Sequence, residues 1–206
     1  MLTSAIMVAG FCRKFIERIG IIMGYAAGWG FIAISALITF DVLARRFIGF
    51  STQATTELSG YALAFGIAWG LAYALSTRSH VRIDLLINRF PPGLRYWMHL
   101  MSLAFLAVFM GFLAKGAWDL VDESLLFRAT DISVLRTPLA IPQGLWAFGI
   151  VMMLVLILAM FVENLLLVLA GRGAEAEANL HTRTYDEEAA EALQAVGADI
   201  TLEKKS

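Results

Sequence analysis

The sequence predicts an all-α membrane protein with four transmembrane helices. Apolar residues make up 59% of the 206-residue chain and charged residues only 16%, and the mean hydropathy is +0.73. A bilayer core of about 30 Å needs roughly 20 apolar residues in each helix, because a helix rises 1.5 Å per residue. Four stretches of about that length are almost free of charge. They leave no room for a large soluble domain.

The four predicted spans cover about residues 19–40, 58–75, 98–114 and 138–162. Tyr96 and Trp97 precede the third span, as expected for aromatic rings at the level of the lipid headgroups. Pro138 and Pro142 fall near the start of the fourth, where a first turn tolerates proline because its amide would be unpaired anyway. Glu163 ends this span and can reach the headgroups.

Two connecting segments have amphipathic patterns, and the C-terminal segment is acidic. Residues 115–137 carry apolar side chains at helical spacing opposite a charged set, which favours an interfacial helix. Apolar residues are also too many for a free loop at 81–87. We therefore expect a membrane domain over residues 1–171 with interfacial helices. Residues 172–206 are expected to form a solvated, poorly ordered tail with one short helix near 185–196.

Basic residues near the span ends predict the orientation. One side collects Arg13, Lys14, Arg18, Arg78, Arg82, Arg89, Arg95, Arg172 and Arg183, and the other has Arg45, Arg46, Lys115, Arg128 and Arg136. The positive-inside rule then places both termini in the cytoplasm. The basic residues follow the N-terminal apolar run instead of preceding it, so we expect no cleaved signal peptide.

Composition argues against several classes of function. The net charge of −1 lacks the basic excess that a nucleic-acid partner requires. A single cysteine, Cys12, excludes an internal disulfide or a thiolate cluster, and His80, His99 and His181 are too far apart to favour a zinc or haem site. With no nucleophile and base pair and no phosphate-binding loop, we expect no enzyme activity and no cofactor.

Small residues recur every four positions in the first two spans. The ridges are Gly20, Gly24 and Gly28 in the first span, and Ala62, Gly66, Gly70 and Ala74 in the second. Such ridges let helix backbones approach closely. They favour two interpretations equally, packing within this bundle or packing against another membrane subunit, and the second is the hypothesis for a partner contact.

Charged residues near membrane depth are the other candidates. Asp41 and Arg45 lie four residues apart at the exit of the first span, and Glu57 opens the second. An interfacial ion pair and a carboxylate at a helix N-terminus explain them more simply than a transport role. A transport pathway would need discontinuous helices and polar groups near the midplane. Because the spans show neither, the chain alone is expected to support a partner.

The order of these features resembles a known family. From Phe40 to Leu86 the sequence is similar to the core of the small permease subunit of tripartite ATP-independent periplasmic (TRAP) transporters, the DctQ-like family. The matching features are Arg45 and Arg46, Glu57, the run from Gly60 to Ala74, the connection with His80, Val81 and Asp84, and the entry to the last span from Arg136 to Gly149. The resemblance covers about residues 10–170.

The resemblance implies a small scaffold subunit of a sodium-coupled importer of organic anions such as carboxylates, in the cell inner membrane. Its implied partners are a large membrane permease subunit, which would hold the solute and the sodium ions, and a periplasmic solute-binding protein. Arg45, Arg46 and Glu57 are then expected near the periplasmic docking surface, or fixing the loop that forms it. Two other interpretations stay open, a free-standing oligomeric channel or exporter and a haem-binding anchor of a redox complex that uses His99.

Overall fold

The computed structural model describes residues 2–77 and 92–180, and this part of the chain contains five helices. They are α1 (Leu2–Phe47), α2 (Thr55–Ser76), α3 (Pro92–Leu126), α4 (Ala140–Leu169) and α5 (Gly173–Leu180). The first four are long and apolar enough to cross a membrane, which confirms the predicted fold class. The connection with His80, Val81 and Asp84 lies outside the described residues, and so does the chain after Leu180.

Helix α1 is much longer than the span predicted at residues 19–40. Its 46 residues give a length of about 69 Å, more than twice the thickness of a bilayer core. Charge ends an apolar span but does not end a helix, so the helix continues through the charged residues 13–18 and 41–46. It stops at Phe47, just before Gly49 takes the positive φ of +74° that is common after a helix end.

Helix α3 also runs past its predicted end at residue 114. The sequence suggested a separate interfacial helix over residues 115–137, but Lys115–Leu126 continues the third helix without a break. Lys115 and Asp119 form an i,i+4 ion pair, which stabilises a helix and gives no reason for a stop. The residues from 127 to 139 form a loop, Pro138 precedes α4, and Pro142 lies in its first turn.

Helix α4 is the centre of the bundle, because it packs against each of the other four helices. Its Met153, Leu156 and Ile157 are fully buried and meet Leu103 of α3 and Leu75 of α2 in the core. Helices α1 and α2 pack along one another on one side of α4, and α3 packs on it as well. Much of the outer surface is apolar, as expected for a chain that faces lipid or other membrane proteins.

The helical part extends beyond the boundary predicted at residue 171. Helix α5 packs against α3 and α4, and Gly173 lies beside the ring of Tyr96. Arg172 donates two hydrogen bonds to the carboxylate of Glu175, at 2.5 and 2.6 Å. The eight residues of α5, which follow the turn at Gly171, therefore belong to the bundle.

Candidate functional site

Asp41 organises the turn between α1 and α2. Its side chain is 1% exposed and accepts hydrogen bonds from the backbone N–H of Thr52 at 2.6 Å and from the Thr52 hydroxyl at 2.8 Å. The hydroxyl groups of Ser51 and Thr55 donate to it at 3.2 to 3.3 Å, and Arg45 Nη2 lies 2.5 Å away. One buried carboxylate thus ties the turn to both helices. We call this end of the bundle the Asp41 end.

The two arginines at this end have different surroundings. Arg45 bridges Asp41 and Ser51, and its side chain is still 61% exposed. Arg46 is exposed and forms no hydrogen bond or ion pair with the described residues. Both side chains are exposed, as a docking surface would require, and their role in docking stays a prediction.

Glu57 connects the first turn of α2 to the loop between α3 and α4. Its carboxylate is buried and accepts hydrogen bonds from the hydroxyl groups of Ser133 and Thr137 in that loop. Tyr61, one turn further along α2, has its hydroxyl oxygen 3.0 Å from Glu57 Oε1 and 2.6 Å from Asp131 Oδ2. The sequence singled out Glu57 but gave no signal for these loop partners. Its contacts are those of a residue that fixes a loop.

Asp131 is held in its ionised form by hydrogen bonds. A hydroxyl group has one proton to donate, and the shorter distance assigns that of Tyr61 to Asp131. This hydrogen bond is the main cause that lowers the pKa of Asp131 below its usual range, and the backbone N–H groups of Ile132 and Ser133 lower it further. The loop is thus attached to α2 by the hydrogen bond from the Tyr61 hydroxyl to the ionised carboxylate of Asp131.

The tip of the same loop is apolar and exposed. Ile132 is fully exposed, and Val134 and Leu135 are 69% and 46% exposed. Thr130 and Pro138 pair as an isolated bridge at the base, and the N–H of Leu139 donates to the carbonyl of Ala129 at 3.0 Å. Backbone contacts therefore close the base of the loop, while the apolar side chains at its tip stay exposed.

The opposite end of the bundle contains a buried ion pair that sequence reasoning missed. Arg13 near the start of α1 donates through Nε to Glu163 of α4 and through Nη1 to Glu17 at 2.5 Å. The Arg13 and Glu163 side chains are 10% and 8% exposed, so Glu163 faces α1 and not the headgroups. Two residues 150 positions apart leave no periodic pattern that would reveal the pair. We call this end the Arg13 end.

The two small-residue ridges partly pack on each other. A Cβ atom on Gly20 would lie 3.2 Å from the carbonyl oxygen of Ala72, and one on Gly24 would lie 2.5 Å from the ring of Tyr73. Gly66 contacts the ring of Phe31 in the same way. These three glycines therefore serve the contact between α1 and α2 within the chain.

The other ridge positions differ in exposure. A Cβ atom on Gly28 or Gly70 would meet nothing within 4 Å, Ala62 is buried, and Ala74 is half-buried. Gly28 and Gly70 are thus the ridge glycines with room for a partner. Gly149 of α4, which no ridge pattern indicated, lies against the backbone of Ala68 in α2.

His99, the residue considered as a haem ligand, is buried in α3 at 1% exposure. His80 and His181 lie outside the described residues. Within residues 2–77 and 92–180, no group of three His, Cys, Asp or Glu side chains is close enough to hold a metal ion.

The comparison with protein families agrees with this architecture. A family model described as tripartite ATP-independent periplasmic transporters, DctQ component, matches residues 34–167, which is well over half of the chain. The match includes α2 and α3, both loops at the Asp41 end, and nearly all of α4. No curated protein and no solved structure matches the chain. The chain belongs to the DctQ family, the small permease component of TRAP transporters.

Proposed function

We propose that this chain is the fixed scaffold subunit of a sodium-coupled TRAP transporter that imports organic anions such as carboxylates. The observation that supports this proposal is that four buried ionisable side chains are paired with other groups of the same chain. Asp41, Glu57, Arg13 and Glu163 are each occupied by partners within the chain. A buried charge in a membrane protein is costly and is kept for a partner or a pathway. Here the partners are structural, which supports a scaffold.

The proposed division of labour gives the other tasks to two further proteins. A large membrane permease subunit would hold the solute and the sodium ions, and a periplasmic solute-binding protein would deliver the solute. We propose that both termini of this chain are in the cytoplasm, so that the Asp41 end faces the periplasm. Arg45, Arg46 and the loop fixed by Glu57 would then be available to the binding protein.

A reconstitution experiment tests the scaffold proposal. The chain and a large permease subunit of the same transporter class are reconstituted in proteoliposomes with an inward sodium gradient, and the solute-binding protein is added outside. We expect uptake of labelled carboxylates only when all three proteins are present, and none when the gradient is collapsed. Sodium-driven uptake by this chain alone would contradict the scaffold proposal, and solute flux through this chain alone that persists without the sodium gradient would favour a free-standing channel.

An absorption spectrum distinguishes the redox interpretation. A haem-binding anchor would show a Soret band after purification from its native membrane, whereas a scaffold would not. The matched control is His99→Ala, which would remove such a band.

A further inference from the structure

The outward side of α3 changes from apolar to charged along its length. Val108 and Phe112 lie on the side opposite the core and are exposed. Further along the same side are Lys115, Asp119, Asp122 and Glu123, all exposed. We call these four residues the charged face of α3. It carries one positive and three negative charges.

Only part of this charge is neutralised within the chain. Lys115 Nζ lies 2.6 Å from Asp119 Oδ2, and the two side chains are 73% and 60% exposed. Asp122 and Glu123 have no ion-pair partner among the described residues. The face therefore presents an uncompensated negative charge.

The two ends of α3 and α4 fix how these helices align. Ala129 just after α3 accepts the N–H of Leu139 just before α4, so the end of α3 lies beside the start of α4. At the other end, a Cβ atom on Gly173 would lie 3.1 Å from the ring of Tyr96. The helices run antiparallel, and about 30 residues of each separate the two contacts. Lys115 is then level with about Met153 of α4.

The charged face consequently lies beside the apolar part of the bundle. Asp122 is level with about Trp146 of α4, counted along both helices from the same two contacts. Gly149 packs against Ala68, which places the middle of α2 at the same height as this segment of α4. Residues 58–75 of α2 and 144–162 of α4 carry no charge. A charged face at this depth is costly against hydrocarbon.

We propose that the charged face of α3 binds a membrane-embedded helix of another protein that carries basic side chains. The excess of negative charge at Asp122 and Glu123 selects a cationic partner, and a charge pair enclosed between helices is protected from solvent screening. Phe112 and Trp118, which are 74% and 60% exposed, add apolar contact area beside the charges. The identity of the partner as the large permease subunit rests on the proposed function.

Cysteine labelling in the assembled transporter tests this surface. Cys12→Ser removes the native cysteine, and Asp122→Cys places a thiol on the charged face. Native membranes are treated with a water-soluble maleimide, with a lipophilic maleimide, and with either reagent after denaturation in detergent. Ile132→Cys, at the exposed loop tip, is the control that should react with the water-soluble reagent when the chain is expressed without its partners.

Each outcome decides the proposal. We expect the thiol of the Asp122→Cys variant to resist both reagents in the complex, to react after denaturation, and to lose its protection when the large subunit is left out. Reaction with the water-soluble reagent in the complex would show a solvated face, and reaction with the lipophilic reagent would show a lipid contact. Protection that does not depend on the large subunit would assign the face to self-association. Each of these three results would overturn the proposal.

A charge reversal supplies a second readout. Asp122→Lys should abolish co-purification with the large subunit, whereas Arg128→Glu in the loop should leave it intact. Equal co-purification of both variants would contradict the surface assignment while leaving the scaffold function standing. If the wild-type chain recruits no large subunit, the proposed function itself fails.

Discussion

Asp41 accepts the backbone N–H of Thr52 at 2.6 Å, across the turn that joins α1 to α2. The same carboxylate accepts hydroxyl groups from Ser51 and Thr55, so most donors of the turn converge on one buried acceptor. Because an unpaired buried donor is costly, the carboxylate and its donors stabilise each other. The turn between α1 and α2 therefore depends strongly on this one carboxylate.

Removing this acceptor should loosen the turn. We expect Asp41→Ala to lower the thermal unfolding midpoint in detergent and to speed hydrogen exchange over residues 48–54, because the Thr52 N–H loses its partner. Arg45→Gln is the matched control, and it should cost at most about 1 kcal/mol because the arginine is largely exposed. Equal midpoints for the two variants would show that the cluster contributes no more than a surface ion pair.

The buried pair of Arg13 and Glu163 should respond differently to the loss of one partner and to the replacement of both. We expect Glu163→Ala to destabilise the chain by roughly 3 to 5 kcal/mol, because it leaves a buried guanidinium without this partner. Replacing both residues by methionine should recover most of that loss, since an apolar pair of similar size avoids the desolvation cost.

The measurement is equilibrium unfolding in mixed detergent micelles, with the double variant compared to the single one. Arg18→Met, an exposed arginine on the same helix, is the control and should have little effect. A double variant as unstable as the single one would mean that the guanidinium and the carboxylate make further contacts that methionine does not replace.

The glycines of the ridge in α1 differ in how closely they approach α2, so we expect substitutions at these positions to have different effects on stability. Gly24→Ala should destabilise the bundle by about 1 to 3 kcal/mol, because the added methyl group meets the ring of Tyr73. Gly28→Ala should be neutral or stabilising by up to about 1 kcal/mol, because the position is open and alanine favours a helix. Thermal unfolding of the two variants gives the comparison. The same midpoint for both would show that the Tyr73 side chain moves aside at little cost.

The open ridge positions test the predicted contact with a partner. A Cβ atom at Gly28 or Gly70 would meet nothing within 4 Å, so we expect Gly28→Leu and Gly70→Leu to preserve the contact between α1 and α2. If the ridge docks a second subunit, these variants should keep their fold and lose co-purification with the large permease subunit. Unchanged co-purification would restrict the ridge to packing within this chain.

Several parts of this structure could be predicted from the sequence because they depend on composition and local spacing. The four apolar stretches identify the spanning helices. The polar residues before Glu57 and the uncharged stretch after it place this residue at a helix start. The lengths of α1 and α3 could not be predicted in this way. A charge such as Lys115 marks a change of surroundings, whereas the backbone continues as a helix until a turn stops it.

The contacts between distant segments are the other part that the sequence does not reveal. Arg13 with Glu163, and Tyr61 with Asp131, depend on which helix faces which and at what height. Such pairs have no period in a single sequence. They follow only from packing, because close approaches such as Gly149 against Ala68 set the relative height of the helices.

The link between Tyr61 and Asp131 predicts how acid acts on the loop. The folded pKa of Asp131 lies below its ordinary value of about 3.9, so the loop is stabilised above that value. This contribution is lost as the pH falls through the lowered pKa, because the protonated acid is a weaker acceptor. We expect Tyr61→Phe to raise the pKa of Asp131 toward its ordinary value, so that the acid proton is gained at a higher pH.

The carboxyl ¹³C chemical shift of Asp131, followed against pH and assigned with Asp131→Asn, measures this change. Glu57 lies within reach of the same hydroxyl, so the titration is repeated with Glu57→Gln in both proteins to leave Asp131 as the carboxylate under test. The rise on removing the hydroxyl should persist in this background. An unchanged midpoint would mean that the backbone N–H groups of Ile132 and Ser133 alone hold the carboxylate, and that Tyr61 contributes packing instead of charge stabilisation.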